Sequence, residues 1–299
     1  MKIVSEIRND IIKYLKGIIA ELGYNIKGIS NEEIFLIFSQ IYCFLIPKKS
    51  RVIFKSKSFF CPPHYEKNLT ELEEDISNGE NLNRYQSKRN LSQFKDAMLY
   101  DWGVRHFHLG GKGNIGEKFS SRTGELLFVL VKDDAIYLIG VYNHKSWSKT
   151  EIIEVIHENW PFLLEQSKNQ FFSSINWTPT EGDIPGLRKC ALNYTIQTKD
   201  GTSYTSLGGG ILPCGNSMKV SAYLSALNDW IASLENNVKE QSNSLIADAQ
   251  KAGIETDLTI HCLFSDNDDN FQIRAYNKEK NISTMLCHGE FFFTSKEYI

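Results

Sequence analysis

The chain has 299 residues, of which 41% are hydrophobic and 23% are charged, and its formal net charge at pH 7 is −3. These fractions are ordinary for a soluble globular protein with a core, and the length exceeds that of one small domain. Six cysteines without a Cys-x-x-Cys pair exclude the disulfide framework of a small secreted protein and favour a reducing compartment.

The apolar segments are too short or too interrupted for a membrane-spanning helix or a signal peptide. The longest run, residues 34–46, contains Ser39 and Gln40 and is shorter than a bilayer requires. Charged residues interrupt the apolar residues at the N-terminus, so we expect no signal peptide. We therefore predict a cytoplasmic protein without a membrane partner.

The N-terminal segment predicts two helices. Isoleucine and leucine recur at helical spacing over residues 3–22, and Gly23 is a natural end for that helix. Ser30 and Glu33 have the spacing of a capping box, which begins a second helix that ends before Pro47. The pattern of both helices indicates packing rather than catalysis.

The centre of the chain predicts a small antiparallel sheet followed by a helix. Residues 104–109 alternate as in a strand, and the continuous apolar residues 126–131 predict a strand buried on both faces. A turn leads to a third strand over residues 135–141. A capping box at Ser148 then begins a helix that ends at Trp160.

The second half of the chain predicts a separate unit. A hairpin over residues 190–207 precedes a long helix that begins at Ser217, and three antiparallel strands follow between 258 and 287. We therefore predict the α+β class with two domains. Residues 1–165 combine helices with a small antiparallel sheet, and residues 166–299 pack a long helix against another antiparallel sheet.

Charge is distributed unevenly along the chain. Residues 84–122 hold eight Lys/Arg against three Asp/Glu, as a phosphate-binding surface requires, and this excess predicts RNA as a partner. Residues 165–299 hold 11 Lys/Arg against 16 Asp/Glu. This acidic half predicts, as an alternative, a protein partner bound through the C-terminal domain.

The main functional motif is a group of histidines and an arginine around the central sheet. His106 and His108 alternate on one face of the first strand. Arg122 precedes the buried strand, and His144 follows the strand that returns beside it. Because the two outer ends of an antiparallel hairpin are adjacent, we expect all four side chains to line one cleft.

A cationic cluster without a carboxylate suits chemistry on a phosphodiester. One imidazole takes the proton of a ribose 2′-hydroxyl, a second protonates the leaving oxygen, and the arginine binds the nonbridging oxygens. This reaction needs no metal and no cofactor. The catalytic candidates are His106, His108, Arg122 and His144, and the substrate-binding candidates are Arg105, Lys112, Lys118, Tyr142 and Lys145.

A metal site is the rival interpretation of the same histidines. Three imidazoles from His106, His108 and His144 could hold zinc with an open position, and Asp101 could add a carboxylate. The positive charge of Arg122 would repel a divalent cation at that place. The motif therefore favours a metal-free site, with a His-metal hydrolase as an alternative.

The order of a helix followed by a small antiparallel sheet with His and Arg at strand ends resembles the metal-independent ribonucleases of the barnase–EndoU–RelE type. The resemblance covers at most residues 1–165 and depends on His106, His108, Arg122 and His144. It implies an RNA-cleaving toxin or phage-defence effector without a cofactor. The helix after the last strand departs from some of these families. A non-enzymatic interaction or immunity protein that binds a protein partner is the alternative function.

Overall fold

A computed structural model of the chain describes residues 1–87, 96–111, 119–169, 177–265 and 270–291. The protein belongs to the α+β class, as predicted from the sequence. Its α-helices are α1 (Ile7–Glu21), α2 (Asn31–Phe44), α3 (Glu66–Asn78), α4 (Ala97–Trp102), α5 (Glu151–Asn159), α6 (Ile184–Lys189) and α7 (Met218–Lys251). Its strands are β1 (Ile3–Ser5), β2 (Val52–Lys55), β3 (Arg105–His108), β4 (Glu125–Val131), β5 (Ala135–Asn143), β6 (Thr195–Gln197), β7 (Ser203–Thr205), β8 (Leu258–Phe264), β9 (Asn270–Asn277) and β10 (Ile282–Glu290). Short 3-10 helices lie at Pro63–Tyr65, Leu82–Tyr85 and Pro161–Ser167.

The chain forms two compact units whose bounds differ from those of the two predicted domains. One unit joins residues 1–42 to residues 222–291, and the other contains residues 43–221. The N-terminal segment belongs with the C-terminal sheet because β1 pairs in parallel with β8. Parallel pairing joins segments that are distant in sequence, so a linear division of the chain at residue 165 misses it.

In the first unit, the sheet has the strand order β1-β8-β9-β10, and α1 packs on β8. The isoleucine face predicted for the first helix is buried, including Ile7, Ile11 and Leu15. The backbone N–H of Glu6 donates to the carbonyl oxygen of Ile260, which continues the pairing of β1 with β8 up to the helix. These contacts place the apolar face of α1 against the sheet.

In the second unit, the sheet has the strand order β2-β5-β4-β3. Strands β3, β4 and β5 are antiparallel, as predicted, and β2 adds to β5 in parallel. Glu125 pairs with Asn143, so the chain entering β4 and the chain leaving β5 lie at the same end of the hairpin. His108 pairs with Leu126 and therefore lies at that end as well.

Strand β4 is buried on both faces, which explains its unbroken apolar sequence. On one face, Leu127 and Val129 pack with Phe107 and with the apolar side of α3. On the other face, Leu126 and Phe128 pack with α5 and with residues of α4. His106 and His108 alternate with Phe107 and so project from β3 on the side of α4 and α5.

Candidate active site

The four side chains that the sequence predicts to share a cleft line one cavity of about 800 Å³ in the second unit. The ring centroids of His106 and His108 are 6.2 Å apart, and those of His108 and His144 are 5.9 Å apart. Arg122 lines the same space. We call this space the histidine cavity. Its wall also contains Asp96, Lys145, Trp147, Arg188 and Lys189.

Trp147 connects the histidines. Its ring meets that of His106 edge to face at 4.5 Å between centroids and lies 5.7 Å from that of His144. On its other side the ring contacts Phe128 of β4, again at 5.7 Å. The indole therefore joins the histidine cavity to the core of the sheet.

His106 faces a carboxylate that sequence reasoning missed. Its Nδ1 atom lies 3.5 Å from Oδ2 of Asp96, and both side chains are less than 10% exposed. The other carboxylate oxygen, Oδ1, accepts the backbone N–H groups of Met98 and Leu99 and so caps α4. The prediction of a cluster without a carboxylate was therefore wrong. Burial lowers the pKa of His106, the charge of Asp96 raises it, and burial is the larger effect.

His108 has a hydrogen bond that assigns its tautomer. The residue is 2% exposed, and its Nδ1 atom accepts the backbone N–H of Thr123 at 3.2 Å. The hydroxyl of Thr123 donates to the carbonyl oxygen of Glu125, so it does not donate to the ring. An imidazole whose Nδ1 accepts carries its proton on Nε2 when neutral. Burial, followed by the charge of His106, lowers the pKa of His108 to about 4.

His144 and Arg122 lie at the rim of the histidine cavity, and both are exposed. The turn after β5 places His144, because Oδ1 of Asn143 accepts the backbone N–H of Lys145 and the hydroxyl of Ser146. This is the local geometry that asparagine favours in turns. The segment before Arg122 is held in place because the backbone N–H of Ser120 donates to the carbonyl oxygen of Arg84 at 2.8 Å.

The structure separates the substrate-binding candidates. Lys145 lines the histidine cavity. Arg105 does not, because its guanidinium donates to the carbonyl oxygen of Phe44 and to Oε1 of Gln86. Tyr142 also lies outside the cavity lining, with its ring stacked on Phe128 and its pKa raised to about 12 by burial and then by Glu151. Lys112 and Lys118 lie outside the described residues.

Asp101 binds a protein cation instead of contributing to a metal site. Its Oδ2 atom accepts Nε of Arg188 at 2.8 Å and the hydroxyl of Tyr194. The guanidinium of Arg188 lies 4.3 Å above the ring centroid of Trp102 and donates to the carbonyl oxygen of Trp147. Within the described ranges, no group of three or more His, Cys, Asp or Glu residues has the geometry of a metal site.

Asp96, Trp147 and Arg188 are among the residues of the cavity wall that sequence reasoning missed. A signal existed for Asp96, since Asp is a preferred N-cap and Ala97-Met98-Leu99 follows it as the start of a short helix. No sequence feature near the histidines indicates that Arg188 belongs to the cavity. Arg188 lies on α6, far along the chain and inside the segment predicted to form the other domain.

Over the described parts of the chain, none of the helices combines the length and the apolar character that crossing a membrane requires. Comparison of the chain with models of protein families, with curated proteins and with solved structures gave no match.

Proposed function

We propose that the protein cleaves RNA without a metal ion, at the histidine cavity. The observation that carries this proposal is the convergence of three imidazoles and an arginine on one cavity of about 800 Å³. Such a space holds a nucleotide-sized ligand. Two imidazoles supply proton transfer at neutral pH, and cationic side chains bind the charge of a phosphodiester.

His106 is the general base in this proposal. The charge of Asp96 beside Nδ1 favours the ring proton on that nitrogen, which leaves the lone pair of Nε2 free to accept a proton. The lowered pKa of His106 keeps the ring neutral before the reaction. Nε2 takes the proton of the 2′-hydroxyl as that oxygen attacks phosphorus.

His144 is the general acid in this proposal, because its exposed position at the rim leaves the ring in contact with solvent. It donates a proton to the 5′ oxygen as the bond from that oxygen to phosphorus breaks, and a 2′,3′-cyclic phosphate remains. His108 stays neutral and donates a hydrogen bond from Nε2, while Arg122 binds the nonbridging oxygens. An RNA-cleaving protein of this kind would act in a cell as a toxin or as a defence effector.

The test incubates the purified full-length chain with single-stranded RNA in excess EDTA. We expect cleavage with 2′,3′-cyclic phosphate ends, and no cleavage of the same sequence made with 2′-deoxyribose. His106→Gln and His144→Gln should each lower the rate by about 10²- to 10⁴-fold, the usual contribution of general acid–base catalysis.

His261→Gln is the matched control, because His261 pairs with Asp10 in the other unit and is absent from the histidine cavity. Cleavage by this variant should equal that of the wild type. An intact RNA substrate after incubation with folded wild-type protein would refute the proposal, as would activity that EDTA abolishes.

A further inference from the structure

We propose that a second pocket of the same unit binds an oxyanion the size of phosphate. We call it the basic pocket. It has a volume of about 120 Å³, and its lining includes Arg105, Lys132, Lys219 and Ser217. The mechanism proposed above does not use this pocket, and the inference does not depend on that mechanism.

The composition of the basic pocket indicates the charge of its ligand. Among the described residues that line it, three carry a positive charge and none is Asp or Glu. A water molecule occupies about 30 Å³ in the liquid, so the pocket has room for a tetrahedral oxyanion with a water or two. A nucleoside is too large for it. The ligand that fits is the phosphate group itself.

Arg105 supplies a fixed positive charge at this pocket. Its Nη1 atom donates to the carbonyl oxygen of Phe44 and, at 3.0 Å, to Oε1 of Gln86. Its guanidinium also lies 5.4 Å from the ring centroid of Phe44. These contacts hold the guanidinium in place at the wall of the basic pocket.

Lys132 and Lys219 both line the basic pocket, and both residues are exposed. Burial is the first cause that lowers the pKa of Lys132, and the positive charge of Lys219 is the second, although Asp133 acts in the opposite direction. Two ammonium groups at one small pocket repel each other. An anion bound between them would remove that repulsion.

The start of α7 adds a second source of positive potential. The hydroxyl oxygen of Ser217 accepts the backbone N–H of Val220 at 3.1 Å and so caps the helix at the pocket. The N-terminal end of a helix attracts anions and disfavours a cation such as Lys219. The first turn of α7 contains no acidic residue that would offset this effect. A bound oxyanion accounts for a lysine at this end of the helix.

The experiment measures binding of inorganic phosphate to the full-length chain by isothermal titration calorimetry. The variant Lys132→Gln/Lys219→Gln removes both lysines of the basic pocket. Lys239→Gln is the matched control because Lys239 is an exposed lysine of the same helix α7. Arg122→Gln separates this pocket from the histidine cavity, where phosphate also finds cations.

We expect the double variant to lose one phosphate site or to bind phosphate at least about tenfold more weakly, the usual effect of losing charge-assisted hydrogen bonds. Lys239→Gln and Arg122→Gln should retain that site. Adenosine 5′-monophosphate tests whether the ligand is free phosphate or a phosphate group on a larger molecule. Competition with phosphate at this site indicates a terminal phosphate group, and a lack of competition indicates the free ion. Phosphate binding that is absent, or that is identical in the double variant and the wild type, overturns the proposal.

Discussion

Asp96 shows how one side chain connects local structure to the site. One of its oxygens caps α4, and the other faces Nδ1 of His106 at 3.5 Å. The cap fixes the carboxylate in position, since it binds two backbone N–H groups at 3.0 and 3.1 Å. The same residue thus sets where the helix begins and places a negative charge beside Nδ1 of His106.

The substitution Asp96→Asn separates these two effects, because Asn caps helices as well as Asp does. The variant retains the cap and loses the charge beside His106. We expect its stability to stay within about 1 kcal/mol of the wild type. We expect RNA cleavage to fall about 10- to 100-fold, since the neutral amide no longer favours the proton on Nδ1.

Measurements of cleavage rate and of thermal unfolding on the same samples test this prediction. Asp96→Ala provides the comparison, because it loses both the charge and the cap and should also lose about 1 kcal/mol of stability. Unchanged cleavage by a folded Asp96→Asn variant would contradict the role assigned to the carboxylate.

The buried His108 predicts a pH dependence of stability. Its pKa is about 4 in the folded protein and about 6.5 when unfolded. Between these values the unfolded chain binds more protons than the folded chain, so stability rises with pH through this window and is lost as the pH falls. His106, whose pKa is also lowered, adds a slope of the same sign.

His108→Asn tests this effect, because the Asn side chain places an acceptor near Thr123 but does not titrate. We expect the slope of unfolding free energy against pH from about 4 to 6.5 to decrease and not to vanish, since His106 remains. Chemical denaturation at several pH values measures the slope, and NMR of the histidine ring protons measures the pKa directly. A resonance of His108 that titrates near pH 6.5 would contradict the assignment.

The residues of the histidine cavity that strand geometry positions could be predicted from the sequence. Alternation placed His106 and His108 on one face, and hairpin geometry placed Arg122 and His144 at one end. Asp96 and Arg188 join them through a helix cap and through long-range packing. The sequence could place Asp96 at the start of a helix, because Asp is a preferred N-cap, but not beside His106. No sequence feature could place Arg188 near the histidines.

At the scale of elements, the turn after β7 packs tightly on α4. The backbone N–H of Gly208 donates to the carbonyl oxygen of Asp101 at 2.7 Å. A Cβ atom on Gly208 would lie 2.5 Å from the carbonyl oxygen of Tyr100 and 2.6 Å from the backbone nitrogen of Gly103. Only glycine allows this approach. The contact joins the turn after β7, which belongs to the predicted second domain after residue 166, to α4, the helix that Asp96 caps.

Gly208→Ala should therefore lower the stability of the unit that contains the histidine cavity, by roughly 2 to 4 kcal/mol for a forced overlap with backbone atoms. Gly186→Ala is the control, because a Cβ atom at that helical glycine meets no atom within 4 Å. The control should keep or slightly raise the melting temperature, since Ala favours a helix. Equal melting temperatures for the two variants would show that the turn accommodates the added methyl group without a loss of stability.

Local elements were predictable from the sequence, but several pairings between them were not. The hairpin β4–β5 and helix α5 follow from apolar patterns that are close together in the chain. The capping box predicted at Ser148 was wrong, because α5 begins at Glu151 and its N-cap residue Thr150 makes no side-chain cap hydrogen bond. The parallel pairings β1–β8 and β2–β5 join strands with much of the chain between them. Strands of three and four residues carry too little pattern to reveal such partners.

At the scale of the whole molecule, charge follows the two compact units more closely than it follows the two halves of the chain. Residues 43–221 hold 22 Lys/Arg against 19 Asp/Glu, a net charge of +3, and the rest of the chain holds 11 against 17, a net charge of −6. The unit with the histidine cavity is therefore the basic one. A fragment of residues 1–165 would divide both units, so experiments on function require the full-length chain.

Expression of the full-length chain in bacteria distinguishes an RNA-cleaving effector from a protein that acts by binding. Cleavage of cellular RNA would slow growth, and the effect would depend on proton transfer at His106 and His144. We expect the wild type and His261→Gln to slow growth with visible fragmentation of total RNA. We expect His106→Gln and His144→Gln to restore growth and intact RNA at equal protein levels.

A protein that acts by binding would behave differently, because a glutamine at either position retains polar contacts and leaves most of the surface unchanged. Equal growth inhibition by all four proteins, with intact RNA, would therefore favour an interaction protein over the ribonuclease.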